Sequence, residues 1–235
     1  MARRLKLLGC CSLLALPLAL GGCSGFFDQT RPVAQSHADT TSSSETLLQL
    51  GDYTRMHGDL TAAIALYRRA QAEDPGAVAP LVKLGQALAE AGNHEESAGA
   101  FRAALERAPQ NTEALRGLAN AYLALNRPAD ALPHLRLAEK TQDDARVRNS
   151  LGVALDLLGR HKEAQQEYEH GLSLTPNDLD LHANLALSYA LTGRSEEAQA
   201  MIDQVVAAPG ATARHQHNRQ LIAELAGGQS AASTA

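Results

Sequence analysis

Apolar and small residues fall on helical stripes that return at a fixed interval. Leu50-Gly51, Leu84-Gly85 and Leu118-Ala119 stand 34 residues apart, and after a one-residue deletion the series goes on at Leu151-Gly152 and Leu185-Ala186. A period of this length marks stacked helical hairpins, in which each unit buries its apolar face only against a neighbour. Each copy reads as two antiparallel helices. In the first copy, helix A covers about residues 44–57 and starts at the capping-box spacing Ser42-Ser43-Ser44-Glu45. Gly58 ends it, Asp59 caps helix B, and Pro75 stops helix B near residue 74. The stop glycine recurs as Gly92, Gly159 and Gly193, with Asn126 in the same slot of the third copy.

The packing slots of helix B repeat as well. A small residue (Ala63, Ser97, Ala131, Ala164, Ala198) is followed four positions on by a bulky one (Tyr67, Phe101, Leu135, Tyr168, Ile202). A third slot holds Ala70, Ala104, Ala138, Gly171 and Val205. The i, i+4, i+7 spacing places all three on one stripe, and small residues let helix axes approach closely. The third copy departs from the pattern. Asp143 replaces the terminating proline, Pro133 lies inside helix B where it predicts a kink, and one residue is missing. After Pro209-Gly210, residues 211–227 predict one more amphipathic helix, a cap with a polar outer face, and residues 228–235 a frayed tail.

The first 43 residues follow a different logic. Arg3, Arg4 and Lys6 precede a short apolar run from Leu7 to Leu20 broken by Pro17, which reads as a secretory signal over residues 1–22 rather than a spanning helix. Leu20-Gly21-Gly22-Cys23 resembles the bacterial lipobox. That resemblance implies cleavage before Cys23, a covalent lipid on its sulfur, and, because Ser24 rather than Asp follows, sorting to the periplasmic face of the outer membrane. The bland alternatives are an ordinary signal with a chance cysteine, or an uncleaved anchor. Cys10, Cys11 and Cys23 are the only cysteines, so the mature chain would hold no disulfide. Residues 23–43 then read as the lipidated cysteine and a polar tether with a reach of about 25 Å. Phe26-Phe27 within it would either dip into the lipid interface or stand as two exposed aromatics.

Composition narrows the function. Aromatic residues make up 3% and tryptophan is absent, which suits small-into-small helix packing. Removing residues 1–22 takes three basic groups and no acid, so the net charge falls from −5 to −8. No basic stripe is left to displace counterions from a phosphate backbone, which argues against nucleic acid. The sequence offers no paired nucleophile and base, no phosphate-cradling glycine loop and no metal set, and so no small-molecule substrate or cofactor beyond the lipid. His215 and His217 are two apart on a helix and point to different sides, as solvated histidines would. His94 and His161 share a slot in the turn region and read as shields of the helix junction. Glu95-Glu96 and Glu196-Glu197 stand in first helical turns, where they complement the dipole.

The 34-residue pattern resembles the tetratricopeptide repeat over about residues 44–210, in five copies. The resemblance implies an all-α, right-handed superhelical solenoid that binds other proteins and is not itself an enzyme. Asn149–Ala198 and Ala208–Gly227, together with the lipobox, are similar to the lipoproteins of tight-adherence (Flp, type IVb) pilus assembly. That narrower resemblance implies an outer-membrane scaffold helping a secretin localise or multimerise. A general periplasmic adaptor for peptidoglycan enzymes and a type IVa pilotin stay open on the same architecture, as does a regulatory subunit whose activity resides in a partner.

In tetratricopeptide arrays helix A lines the concave groove. The groove positions here are Arg116 and Asn120 in the third copy, Arg146 and Asn149 in the fourth, and Asn184 in the fifth. Such side chains suit an extended peptide, because they pair with its backbone or clamp a carboxylate; solvated polar faces are the plain alternative. The family's chaperone-type carboxylate clamp expects Lys and Asn in the first copy, where this chain has Leu48 and Asp52, so a chaperone C-terminus is not the expected ligand. Leu48 and Met56 predict a more apolar groove at that end.

Overall fold

The computed structural model describes residues 34–233, with side-chain surroundings over 43–227. Within them the chain forms eleven helices and no strand. Five hairpins follow one another: α1 (Ala34–Met56) with α2 (Leu60–Glu73), α3 (Ala79–Glu90) with α4 (His94–Arg107), α5 (Thr112–Ala124) with α6 (Pro128–Thr141), α7 (Ala145–Leu157) with α8 (His161–Leu174), and α9 (Leu179–Leu191) with α10 (Ser195–Ala207). The last helix, α11 (Ala213–Ser233), lies against α9 and α10. Every other contact joins helices adjacent in sequence or successive first helices of the hairpins. The odd-numbered helices therefore form one inner row, and the array is a solenoid.

The helix stops behave as their residues require. Gly58, Gly92, Gly159 and Gly193 take positive φ, and Asn126 does the same at φ 56°. Asp59 accepts from the Ala62 amide at 2.9 Å and caps α2. Asn111, Asp144 and Asp178 cap α5, α7 and α9 in the same manner. Ala63, Ala131, Ala164 and Ala198 are fully buried at the helix crossings, with Tyr67, Leu135, Tyr168 and Ile202 beside them. α6 continues past Pro133 to Thr141.

Three expectations change. The first helix starts at Ala34, not at 44, so residues 34–43 of the expected tether are helical. No glycine or proline interrupts the chain between Pro32 and Gly51, and Ser44 does not cap a helix start: its hydroxyl donates to the Ala70 carbonyl of α2 at 3.0 Å. At the other end α11 runs on to Ser233 where a frayed tail from 228 was expected. His215, expected in solvent, is 3% exposed; its Nε2 lies 2.8 Å from Asp180 and its Nδ1 accepts from the Thr212 amide. The packing of α11 on α9 and the Asp180 carboxylate there explain the difference. The signal sequence, the lipobox and Cys23 lie outside the described residues.

Candidate partner-binding groove

The inner row carries a ladder of polar side chains that joins most of its helices to the next. Lys83 donates to both Asp52 oxygens at 2.9 and 2.7 Å, and Arg55 pairs with Glu90 at 2.5 Å, so α1 is tied to α3. Gln86 donates to Glu113 at 2.5 Å, tying α3 to α5. The Asn184 amide donates to the Asn149 side-chain oxygen at 2.8 Å, tying α7 to α9. Asp180 receives Arg214 and His215, tying α9 to α11.

The step between α5 and α7 has no such rung. Arg146 is exposed and spends its guanidinium on Asp144, the carboxylate that also caps its own helix. Arg116 is half-buried, and its side chain has neither a hydrogen bond nor an ion pair among the described residues. Burial, then the charge of Arg146, lowers its pKa below the ordinary guanidinium value, with Asp144 and Glu113 offsetting part of the effect. Asn120, one helical turn further along α5, is also half-buried and without a side-chain partner among the described residues. A partly desolvated cation without a directly paired carboxylate is a costly arrangement that an incoming acidic group relieves. A guanidinium can meet such a group with two parallel hydrogen bonds, and an adjacent amide can pair with a peptide backbone.

Of the five groove residues read from the sequence, the structure separates three from two. Asn149 and Asn184 engage each other, Arg146 engages Asp144, and Arg116 and Asn120 are unspent. At the first hairpin Met56 is 73% exposed, whereas Leu48, expected in the groove, is not there. Leu48 is buried beside Tyr67 and Leu84, because its place on α1 faces α2 and α3. Asp52 is held by Lys83 and by the Tyr67 hydroxyl, which donates to it at 2.7 Å. The ladder itself was not foreseen. Its signal in the sequence is complementary side chains 27–35 residues apart, about one repeat.

Chemistry elsewhere is sparse. A cleft of about 430 Å³ lies between Pro176, Leu179, Met201 and Pro209, with His182 in its wall held by the Asp178 carbonyl at 2.9 Å. His161 pairs with Asp156 at 2.8 Å, and the Nδ1 of His94 is buried without a hydrogen-bond partner. Glu95-Glu96 and Glu196-Glu197 occupy the first turns of α4 and α10. Among the described residues no group of three or more His, Cys, Asp or Glu is placed to hold a metal ion, and no helix is long and apolar enough to cross a membrane.

Tetratricopeptide-repeat family models match residues 42–78, 88–152 and 157–225. An uncharacterised Sinorhizobium fredii protein, y4yS, is 39% identical over 99 residues, 42% of this chain and 54% of that one. The Hsp70-Hsp90 organizing protein of Triticum aestivum is 38% identical over 106 residues, 43% of this chain and 18% of that one. The chain thus spans about half or less of the length of these curated relatives. Among solved structures, a thermophilic tetratricopeptide protein of Thermus thermophilus superposes with a TM-score of 0.64 at 23% identity, over 77% of this chain and 98% of that one. Period, hairpin packing and family match agree: the chain belongs to the tetratricopeptide-repeat family.

Proposed function

We propose that this protein is a non-catalytic scaffold, anchored to the periplasmic face of the outer membrane through lipid on Cys23, that holds an acidic segment of a secretion partner in its concave groove. The observation carrying the groove reading is Arg116, half-buried beside Asn120 at the one step of the inner row left unbridged. Tetratricopeptide proteins mediate protein–protein contacts, and the name of the wheat relative, an organizing protein of two others, is in keeping with that class. The lipobox Leu20-Gly21-Gly22-Cys23 supports the address. The likeness of Asn149–Ala198 to TadD-type pilus lipoproteins supports a secretin or another component of a Flp pilus secretion apparatus as the partner.

The test is crosslinking in envelopes followed by capture of the protein, with wild type beside Arg116→Ala/Asn120→Ala. A secretin recovered with wild type and reduced at least fivefold with the double variant is the expected result. Recovery of peptidoglycan enzymes instead would transfer the scaffold to an adaptor role, and equal capture by both proteins would remove the groove from the mechanism. Cys23→Ser should give a folded protein released from the membrane; full membrane retention of that variant would refute the anchor.

A further inference from the structure

Among the described residues the array is closed at one end only. In the inner hairpins the repeating leucine is covered by the preceding hairpin: Leu84, Leu118, Leu151 and Leu185 are 6, 1, 0 and 3% exposed. Their counterpart on α1, Leu50, is 48% exposed. Three residues on, Ala87, Ala121 and Ala154 are at most 2% exposed, whereas Tyr53 in the same slot is 56% exposed. The far end is different, because α11 seals it with Ile222 and His215 buried against α9 and α10.

We propose that the open face of α1 is covered by α1 of a second copy, so that two solenoids meet head to head about a two-fold axis. Thr46, Leu50, Tyr53 and His57 recur along α1 and its end at spacings of four, three and four, the seam of a paired helix. Neither these residues nor the flanking Gln49, Thr54 and Met56 carry a fixed charge. The chain as a whole is acidic, with a net charge of −5; like-charged copies repel elsewhere and can approach along this uncharged strip. The interface is continuous with one the molecule already uses, since the same slots of α3, α5, α7 and α9 each receive a helix.

Two observations select the second copy's α1 over other arrangements of the same chain. Opposite its buried residues His215, Asn218 and Ile222, α11 exposes His217, Gln220 and Glu224, a polar strip that does not complement leucine and tyrosine, so tail-to-head stacking is disfavoured. Tyr53 is bulky where the inner hairpins have alanine or serine, so the covering helix cannot approach as the inner ones do. Around a two-fold axis each residue meets the same patch, which closes the assembly at two, and offset tyrosine rings can stack on their own mates.

The test places benzoylphenylalanine at position 53 of the full chain and irradiates cells. The expected adduct has twice the monomer mass and contains only this protein, while the same probe at the exposed position Glu106 on α4 gives none. Adding Leu50→Glu should cut the adduct at least tenfold while leaving helical circular dichroism unchanged, since Leu50 is 48% exposed and outside the buried core. An adduct to an unlike polypeptide, an equal yield at position 106, or no adduct at position 53 would each overturn the proposal.

Discussion

Gly85 lies directly beneath the Phe101 ring, so that a Cβ at this position would stand 2.8 Å from its Cζ. The relation recurs: Gly51 underlies Tyr67 and Gly152 underlies Tyr168, each too close for a methyl group. Where the slot holds alanine, at Ala119 and Ala186, the bulky partners are Leu135 and Ile202. Glycine thus accompanies an aromatic ring and alanine an aliphatic side chain, a size exchange across the crossing of the two helices. Gly85→Ala is expected to destabilise the protein by about 1–3 kcal/mol through overpacking, although alanine gains about 1 kcal/mol of helix propensity. In a Phe101→Leu background the same change should be close to neutral. A double-mutant cycle by urea unfolding reads the coupling directly, and additive costs would refute the size exchange.

Arg148 and Glu167 form the centre of an ion-pair cluster where the repeat is irregular. The Arg148 guanidinium reaches Glu167 at 2.8 Å, Asp143 at 2.8 Å and also Glu139, and Arg136 reaches Glu167 at 2.6 Å. The side chains of Arg148 and Glu167 are 11% and 12% exposed. Removing the Arg148 cation alone would leave the partly buried Glu139 and Glu167 carboxylates to share the single guanidinium of Arg136. Arg148→Ala should therefore cost about 3 kcal/mol, while Arg148→Met/Glu167→Met should cost much less. Thermal melts of the two variants give the comparison; equal losses would mean that the cluster acts only through packing.

The hairpins, their stop residues and the small-residue crossings were legible because each rests on local chemistry that repeats: a left-handed stop at Asn126, a carboxylate cap at Asp59, a small residue at Ala131. What escaped reading depends on contacts between different helices. Nothing in the neighbourhood of His215 shows that Asp180, 35 residues earlier, lies beside its ring. The same holds for Arg148, whose partner Glu167 is 19 residues away in the next helix. The groove was legible as a row of positions but not as a site, because which polar residues are spent depends on the neighbouring helix. The helical start at Ala34 was obscured by serines and threonines, which favour caps and turns yet here continue a helix.

Acid should loosen the first hairpin step. Burial pushes the Asp52 carboxyl upward, but hydrogen bonds from Lys83 and Tyr67 and the charges of Lys83 and Arg55 outweigh it and hold the pKa below its ordinary value. A depressed carboxylate stabilises the fold above its unfolded pKa, near 4, and that contribution is lost as pH falls through the folded value. With side chains about one-third exposed, the ion pair is worth about 1 kcal/mol at most. Asp52→Asn should lower the melting temperature at pH 7, and the gap to wild type should shrink as the pH is taken from 4 towards 2. A gap independent of pH across this range would show that the carboxylate charge contributes nothing.

Asn126 is the only non-glycine residue with positive φ among the described residues, at 56° where its counterparts Gly58, Gly92, Gly159 and Gly193 lie between 74° and 84°. Its amide closes the end of α5 by donating to the Leu123 carbonyl at 2.9 Å, and the next amide, of Arg127, reaches the Tyr122 carbonyl at 2.8 Å. A left-handed residue is needed for both bonds, and an ordinary side chain adopts that conformation at a cost of about 1 kcal/mol. Asn126→Ala should therefore destabilise the protein by about 1 kcal/mol, whereas Asn126→Gly should be neutral or slightly stabilising, since glycine carries no Cβ penalty there. Glycine's greater freedom in the unfolded chain works against it, so the gain stays below about 1 kcal/mol. Denaturant midpoints of the three proteins order as glycine at or above asparagine, with alanine lowest; alanine equal to asparagine would mean that the turn re-forms without the left-handed residue.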